Sequence, residues 1–268
     1  MELEAETTIL ETRHLRKEFG GLVAVADVSI KVQQGQLHAI IGANGAGKTT
    51  LFNMISGRLS PTRGNVFFNG KDITNVPIHR RSHLGIGRSF QITNIFPNLT
   101  VFENVRLSAQ ALGEDNFKLW RHFRSFKQYE QQALAVLTQV GLQDKSLMLA
   151  SLLAHGDQRK LELAILLAAD SELLLLDEPT AGMASEQVPE LMAIIQKIKE
   201  TTGKTIMLVE HNMNVVMGFS DYISVMHVGE LLAEGTPKEI AANETVQKAY
   251  LGELYGDFET MSRGGLDQ

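Results

Sequence analysis

Leu37-His38-Ala39-Ile40-Ile41-Gly42-Ala43-Asn44-Gly45-Ala46-Gly47-Lys48-Thr49 joins a compact apolar run to a glycine-rich loop that ends in lysine and threonine. From Gly42 it meets G-x-x-x-x-G-K-[ST] at every fixed position. The run before it reads as a strand feeding the loop, and the residues after it, about Lys48 to Ser56, read as a helix. In that setting the glycines let the backbone wrap phosphates, so that amide N–H groups and the helix N-terminus face their charge. Lys48 then reaches the terminal phosphates and Thr49 offers a hydroxyl to magnesium. A glycine-rich turn with a chance lysine would need neither the strand nor the helix. The pattern points to a bound nucleoside triphosphate.

Working outward, Ile9 to Phe19 and Val23 to Val32 alternate loosely as strands, with a turn at Gln33 to Gly35. Val66 to Phe68 followed by Asn69-Gly70 predicts a hairpin, because that dipeptide tolerates the positive φ angles of a tight turn. Thr100-Val-Phe-Glu103 has the spacing of a capping box, and a helical pattern runs from there to Gly141. Leu173 to Leu176 and Thr205 to Val209 are too uniformly apolar for a half-exposed sheet and read as parallel strands covered on both faces. The two ends of the chain therefore build one α/β sheet with a helical lobe inserted between them. The tail after Tyr255 is expected to fray.

Leu173-Leu-Leu-Leu176-Asp177-Glu178 puts two carboxylates at the exit of a buried strand, where ligands of open α/β sheets gather. One acid can hold magnesium while its neighbour handles the attacking water. Asp177 is assigned to the metal and Glu178 to general-base work, which needs a group not already neutralised by the cation. The bland alternative is a pair of surface acids capping the next helix. Thr205 to Val209 runs into Glu210-His211 at another strand exit, where an imidazole contacts a γ-phosphate, orients the glutamate or is simply structural. Gln91 follows the strand-like Gly85-Ile-Gly-Arg-Ser-Phe90 and offers a neutral amide to magnesium or its water.

Composition narrows the partners. The 268 residues are 44% hydrophobic and 21% charged, as in an ordinary folded domain, and carry a net charge of −6 without a basic block. Nucleic acid is an unexpected partner for such a surface. The greasiest stretch, Leu161 to Leu176, is broken by Glu162, Asp170 and Glu172, so contact with a membrane is expected to go through another protein. There is no cysteine, and the first residues are acidic where a secretory signal starts basic. A cytoplasmic setting is the expectation.

In order along the chain these residues resemble the ATP-binding cassette (ABC) ATPases: an aromatic A-loop, Walker A, Q-loop, signature, Walker B, D-loop and H-loop. The resemblance implies a P-loop NTPase fold, a RecA-type parallel core with an antiparallel β subdomain and an inserted α-helical subdomain. It places one cassette over residues 1–255, with the core in 1–90 and 156–240, the helical part in about 91–155 and a flexible tail in 256–268. It implies that Phe19 stacks on adenine, with Ala24 also in the ATP-binding set, and that Gly42 through Thr49 and Thr50 hold the phosphates. Gln91 would sense the γ-phosphate, Asp177 and Glu178 would act as above, His211 would be the switch histidine, and Ala181-Gly182-Met183 would be the D-loop. ATP and Mg2+ are the implied cofactors, with Thr49, Gln91 and Asp177 as metal ligands.

Lys17-Glu-Phe-Gly-Gly-Leu-Val-Ala-Val25, Phe96-Pro-Asn-Leu-Thr-Val-Phe-Glu-Asn104, Asp177-Glu-Pro-Thr-Ala-Gly-Met183 and Ala249-Tyr-Leu-Gly-Glu253 are similar to one subgroup, the cassettes of branched-chain amino acid importers. The resemblance implies a transport ATPase, the larger of two different cassettes, working with two transmembrane permease subunits and, indirectly, a solute-binding protein. One departure stands out. The signature, usually L-S-G-G-Q, is here Leu153-Ala154-His155-Gly156-Asp157, followed by a helix read over Leu161 to Ala169. In the family the serine hydroxyl and glycine amides bind the γ-phosphate held by the opposite subunit. Ala154 has no hydroxyl and Asp157 brings an acid. One lost hydrogen bond to a charged group costs about 1.5–3 kcal/mol. Unequal ATP sites in a heterodimer are therefore expected, unless a matched partner makes the substitution silent.

In the inserted lobe Trp120, Phe123, Phe126 and Tyr129 recur every three residues among Arg121, His122, Arg124 and Lys127. The stripe suits a membrane surface or a single strand of nucleic acid, but a helix packing its aromatic side on its own lobe explains it as well. Gln91 to Val105 is the candidate edge for docking a permease. Competing classes are a soluble regulatory ABC ATPase, a P-loop kinase, which would not need Gln91, Glu178 and His211 together, and a cassette that binds ATP without hydrolysing it.

Overall fold

The structure is a computed structural model that describes residues 7–89, 95–111 and 127–248. In chain order its elements are β1 (Thr8–Phe19), β2 (Leu22–Val28), β3 (Lys31–Gln33), β4 (Leu37–Gly42), α1 (Lys48–Ile55), β5 (Arg63–Phe68) and β6 (Lys71–Asp72). There follow α2 (Ile78–His83), β7 (Ile86–Arg88), α3 (Val101–Ala111), α4 (Lys127–Gln139), α5 (His155–Ala168), β8 (Leu173–Asp177), α6 (Val188–Thr202) and β9 (Thr205–Val209). The chain continues through α7 (Met213–Phe219), β10 (Tyr222–His227), β11 (Glu230–Gly235), α8 (Pro237–Ala242) and the single turn α9 (Glu244–Val246). These form two compact units, Met1–Asn75 with Val209–Gln268, and Val76–Leu208.

In the first unit the strands run in the order β6, β5, β1, β2, β11, β10, β4, with β3 also pairing β1. β1 is antiparallel to β2, β3 and β5, whereas β4 is parallel to β10. The run read from Val23 to Val32 is two strands. Thr12 interrupts it: its buried hydroxyl donates to the Val28 carbonyl and accepts from the Ile30 N–H, which ends one pairing and starts the other. The Asn69-Gly70 turn forms as expected between β5 and β6, with φ of 48° and 72°. Every residue of β4 is buried, and Leu51 and Phe52 of α1 join Leu10, Leu15, Val25 and Val225 in this unit's core.

In the second unit β9, β8 and β7 lie side by side, β7 parallel to β8. All five residues of β8 are buried, as are all five of β9, which fits their uniformly apolar sequences. Between β7 and β8 the described elements are helices: α3 packs on α4 and α5, with Val105, Ala133, Leu137, Leu161 and Ala164 buried. The capping box at Thr100 is half formed. Thr100 Oγ accepts from the Glu103 N–H, while the Glu103 carboxylate is held by Arg106 at 2.8 Å. Helix α5 begins at His155 rather than Leu161, because its polar first turns, which lack apolar periodicity, are fixed by distant partners. Tyr129 is buried in α4; Trp120, Phe123 and Phe126 lie outside the described residues.

Candidate functional site

The glycine-rich loop follows β4 directly, and its shape depends on two glycines. A Cβ on Gly42 would lie 2.4 Å from the Met226 carbonyl oxygen, and one on Gly47, where φ is 98°, would lie 2.5 Å from that of Ala24. Larger residues would push the loop off the strands beneath it. Ala46 is buried and closes the turn by donating its N–H to the Ala43 carbonyl at 3.1 Å. Asn44 and Gly45 form the exposed tip. The Lys48 ammonium donates to the Gly42 and Ala43 carbonyls at 2.6 and 3.0 Å. Thr49 is exposed and Thr50 half-buried in the first turn of α1. This is a cradle of glycines, amides and one cation at a helix start, and it fits a polyphosphate.

Phe19 ends β1 with 49% of its surface exposed, and the Lys17 ammonium sits 5.3 Å from its ring centre. A largely exposed aromatic ring is available for stacking. Ala24 is half-buried on β2.

In the second unit Asp177 is the last residue of β8, and its side chain is 1% exposed. Arg88 Nη2 donates to Asp177 Oδ2 at 3.1 Å, and Ser89 Oγ accepts from the Asp177 N–H at 3.0 Å. Arg88 carries no motif signature. The signal for it was chemical: an arginine at the end of a short strand needs a reason to be buried. At Glu178 the backbone turns to φ 48°, an uncommon conformation for a residue with a side chain. The Ala181 N–H closes the turn onto the Glu178 carbonyl at 3.0 Å. Glu178 thus leaves the line of the strand immediately after the buried acid. Gln91 lies outside the described residues.

The altered signature sits at the start of α5. Leu153 is buried, and Ala154 is the exposed N-cap residue with no side-chain capping bond. The exposed His155 ring packs against Gly182 of the proposed D-loop, 3.1 Å from where a Cβ would be. Gly156 is equally tight: a Cβ there would meet Gln187 Oε1 at 2.8 Å. Asp157 is less free than its sequence implies. It is ion-paired with Lys145 and lies 3.8 Å from Lys160 Nζ, which in turn bonds Glu190 at 2.6 Å. The charge of this acid is matched within its own chain, a partnership absent from the sequence reading.

In the first unit His211 follows β9 on an exposed position, and its N–H donates to the buried Glu210 carboxylate at 3.2 Å. Asn212 caps α7 by accepting from the Asn214 and Val215 N–H groups. The sequence reading also missed a polar chain there that runs from buried His38 and Ser224 to exposed Glu234. Ser224 Oγ donates to Glu234 at 2.6 Å and meets His38 Nε2 at 2.7 Å. Burial depresses the His38 pKa to about 4 and raises that of Glu234, the latter opposed by the serine. His38 is therefore neutral, and with Ser224 donating onward, its Nε2 carries the proton.

Magnesium is tested by ligand chemistry. Thr49 and Asp177 are hard oxygen donors of the kind it takes, and it is ordinarily held by one or two carboxylates plus substrate phosphates.

Residues 25–181 match the family model described as ABC transporter, and residues 230–255 match that of the branched-chain amino acid ATP-binding cassette transporter. The high-affinity branched-chain amino acid transport ATP-binding protein BraF of Pseudomonas aeruginosa is 39% identical over 91% of this chain and 98% of its own length. LivG of Escherichia coli K12, also a high-affinity branched-chain amino acid transport ATP-binding protein, is 37% identical over 91% of this chain and 98% of its own. Among solved structures, the ADP conformation of MJ1267, an ATP-binding cassette of an ABC transporter, superposes with a TM-score of 0.81. It is 30% identical and covers 91% of this chain and 99% of its own. A dimeric post-hydrolysis state of the cassette MJ0796 bound to ADP and Pi gives 0.74 at 25% identity, covering 85% and 99%.

Proposed function

Because this chain belongs to the ABC transporter family, whose ATP-binding cassettes hydrolyse ATP to power transport, we propose that it is one of two unlike cassettes driving import of branched-chain or other amino acids or related small solutes, with branched-chain amino acids the first of these. The observation that carries this reading is the built phosphate cradle in a chain whose C-terminal segment matches the branched-chain amino acid cassettes. A soluble regulatory role does not fit relatives that are transport subunits over nearly their whole length.

In this mechanism Phe19, with Ala24, packs the adenine. Gly42 through Thr50 wrap the phosphates, and Lys48 exchanges two backbone carbonyls for phosphate oxygens. Thr49, Gln91 and Asp177 would hold Mg2+, which when bound supplies charge that orients and neutralises the terminal phosphate. Glu178 accepts a proton from the attacking water, and His211 fixes the γ-phosphate and the water between them. Closure on ATP supplies the stroke and hydrolysis resets it. Leu153 to Asp157 serve the partner's nucleotide, and with no hydroxyl at Ala154 the Gly156 amide and the helix start carry that contact.

No helix among the described residues is long and apolar enough to cross a membrane. Two permease subunits hold the chain at their cytoplasmic face, in keeping with relatives that are transport ATP-binding proteins. Helices α3 and α4, with the segments that border them, are the part of the chain we assign to receiving these subunits. Within it the Val101, Ala150 and Ser151 N–H groups bond the Met148, Leu99 and Pro97 carbonyls, knitting two segments together. Phe96, Leu147 and Leu152 remain 59%, 84% and 68% exposed on these segments. These exposed apolar side chains, with Phe96 inside the Gln91 to Val105 edge, fit a short permease helix.

Capture of the tagged chain from its native membrane tests the assembly. The expected complex holds two hydrophobic permeases and a second, different cassette, with ATPase activity stimulated by binding protein loaded with leucine, isoleucine or valine. Recovery of the chain with soluble proteins alone would overturn the transport role. Stimulation by urea or short amides but not by these amino acids would overturn branched-chain amino acids as the solute.

A further inference from the structure

Arg88 and Asp177 form an ion pair at 3.1 Å, with side chains 6% and 1% exposed. The pairing is reinforced on either side. Arg88 is level with Leu175 in the parallel β7/β8 ladder, the Ser89 N–H donates to the Leu175 carbonyl at 2.8 Å, and the Ser89 hydroxyl accepts from the Asp177 N–H. The end of β7 is thereby fastened to the end of β8 by backbone, hydroxyl and charge together. Gln91 follows Ser89 by two residues in sequence.

A carboxylate shielded this deeply needs a compensating positive charge at close range. Arg88 supplies it in the chain as it stands. A divalent cation at Asp177 would supply it again, so two cations serve one acid, and each weakens the need for the other. We propose that Arg88 is a positioning residue that stands in for the metal's charge at Asp177 while magnesium is absent, fixing that carboxylate and tying it to the strand that leads into Gln91. The proposal rests on the reading of Asp177 as a metal ligand. Metal arrival then loosens the Arg88 bond, and the loss is felt at the root of the segment that carries Gln91. The guanidinium is suited to this role, because its planar fork holds carboxylate geometry as a lysine cannot and keeps its charge at any working pH.

The test uses the full chain and two readouts, neither of them turnover. Melting temperature is measured in ATP with EDTA and in ATP with Mg2+, and the Mg2+ midpoint is read from binding of a fluorescent ATP analogue. For Arg88→Met the expected result is a melting deficit in EDTA that shrinks by about half or more once Mg2+ is present, because the metal replaces the missing charge. Its Mg2+ midpoint should fall about fivefold or more, the competing guanidinium having gone. Arg88→Lys should recover part of the EDTA deficit. Asp177→Asn should raise the midpoint by at least as large a factor.

A deficit that is equal with and without Mg2+, together with an unmoved midpoint, would reduce Arg88 to packing and overturn the proposal, provided Asp177→Asn still moves the midpoint. An Asp177→Asn midpoint equal to wild type would instead sink the metal-ligand reading beneath it. If Arg88→Met does not fold, the double variant Arg88→Met/Asp177→Asn, which buries no unpaired charge, and Arg88→Lys carry the comparison. A double variant that also fails to fold, while Arg88→Lys folds, would count against a charge role.

Discussion

Ala154→Ser restores to the signature the hydroxyl that the family usually carries, and two separate effects follow from where Ala154 sits. It is the N-cap of α5 with φ −63° and ψ 155°, the extended geometry in which a serine side chain accepts from the N–H two or three residues on. Those donors belong to Gly156 and Asp157. A serine cap is worth about 1 kcal/mol over alanine, which for a chain of this size raises the melting temperature by about 2–3 °C. The second effect needs the partner. A hydroxyl bonded to the γ-phosphate of the opposite site contributes about 1.5–3 kcal/mol, or about tenfold to a hundredfold in rate if realised in the transition state. The assays are thermal unfolding of the isolated chain and steady-state ATPase of the chain assembled with its partner cassette. The expected outcome is a rise in both. A higher melting temperature with unchanged turnover would refute the inequality of the two ATP sites, since the serine would then be seated where intended and the substitution silent.

Glu178→Gln should abolish turnover while leaving ATP bound, and substantial residual ATPase activity would show the base assignment to be wrong. Light scattering of that variant in saturating ATP should give a monomer near 29.6 kDa, as an obligate unlike partner requires; a stable dimer would argue for two identical cassettes. His38→Gln probes the buried end of the relay: the His38 pKa is about 4 when folded and 6.5 in its unperturbed state, so the unfolded chain binds more protons between those values. The stabilisation from a neutral His38 is thus complete above about pH 6.5 and lost as pH falls, by about 2 kcal/mol at pH 5. Urea melts at pH 7 and pH 5 should show wild type losing stability and the variant losing correspondingly less; equal losses would contradict the buried-neutral assignment. Gly42→Ala should abolish nucleotide binding or lower stability by about 1–3 kcal/mol, because its Cβ meets the Met226 carbonyl oxygen at 2.4 Å, and a fully active, fully stable variant would contradict the loop geometry.

The parts legible in the sequence were those written in local spacing. Gly42 to Thr49, the Asn69-Gly70 turn and the buried strands at Leu173 and Thr205 follow from steric demands and apolar runs that a few adjacent residues express. What stayed hidden depends on distant pairs. The two extra turns at the start of α5 carry His155, Asp157, Arg159 and Lys160, whose partners include Gly182, Lys145, Ala181 and Glu190. Periodicity counts none of these contacts. Asp157 illustrates the point most directly: as a letter in the signature it is an uncompensated acid, and in the fold it is one member of an intrachain line of alternating charge. Arg88 is legible only as a burial problem, and its solution lies 89 residues away.

The Lys48 ammonium resting on the Gly42 and Ala43 carbonyls has a consequence for the working cycle as a whole. Through these bonds the loop closes on its own lysine, so a nucleotide that binds there substitutes for them and gains only the difference between phosphate and carbonyl as acceptors. That difference grows with the negative charge offered, which discriminates a triphosphate from nucleosides and weakly charged anions. The same closure works in reverse when product departs. The lysine has somewhere to go, so release of ADP leaves no stranded cation behind it, and the loop is ready for the next turnover without having to refold.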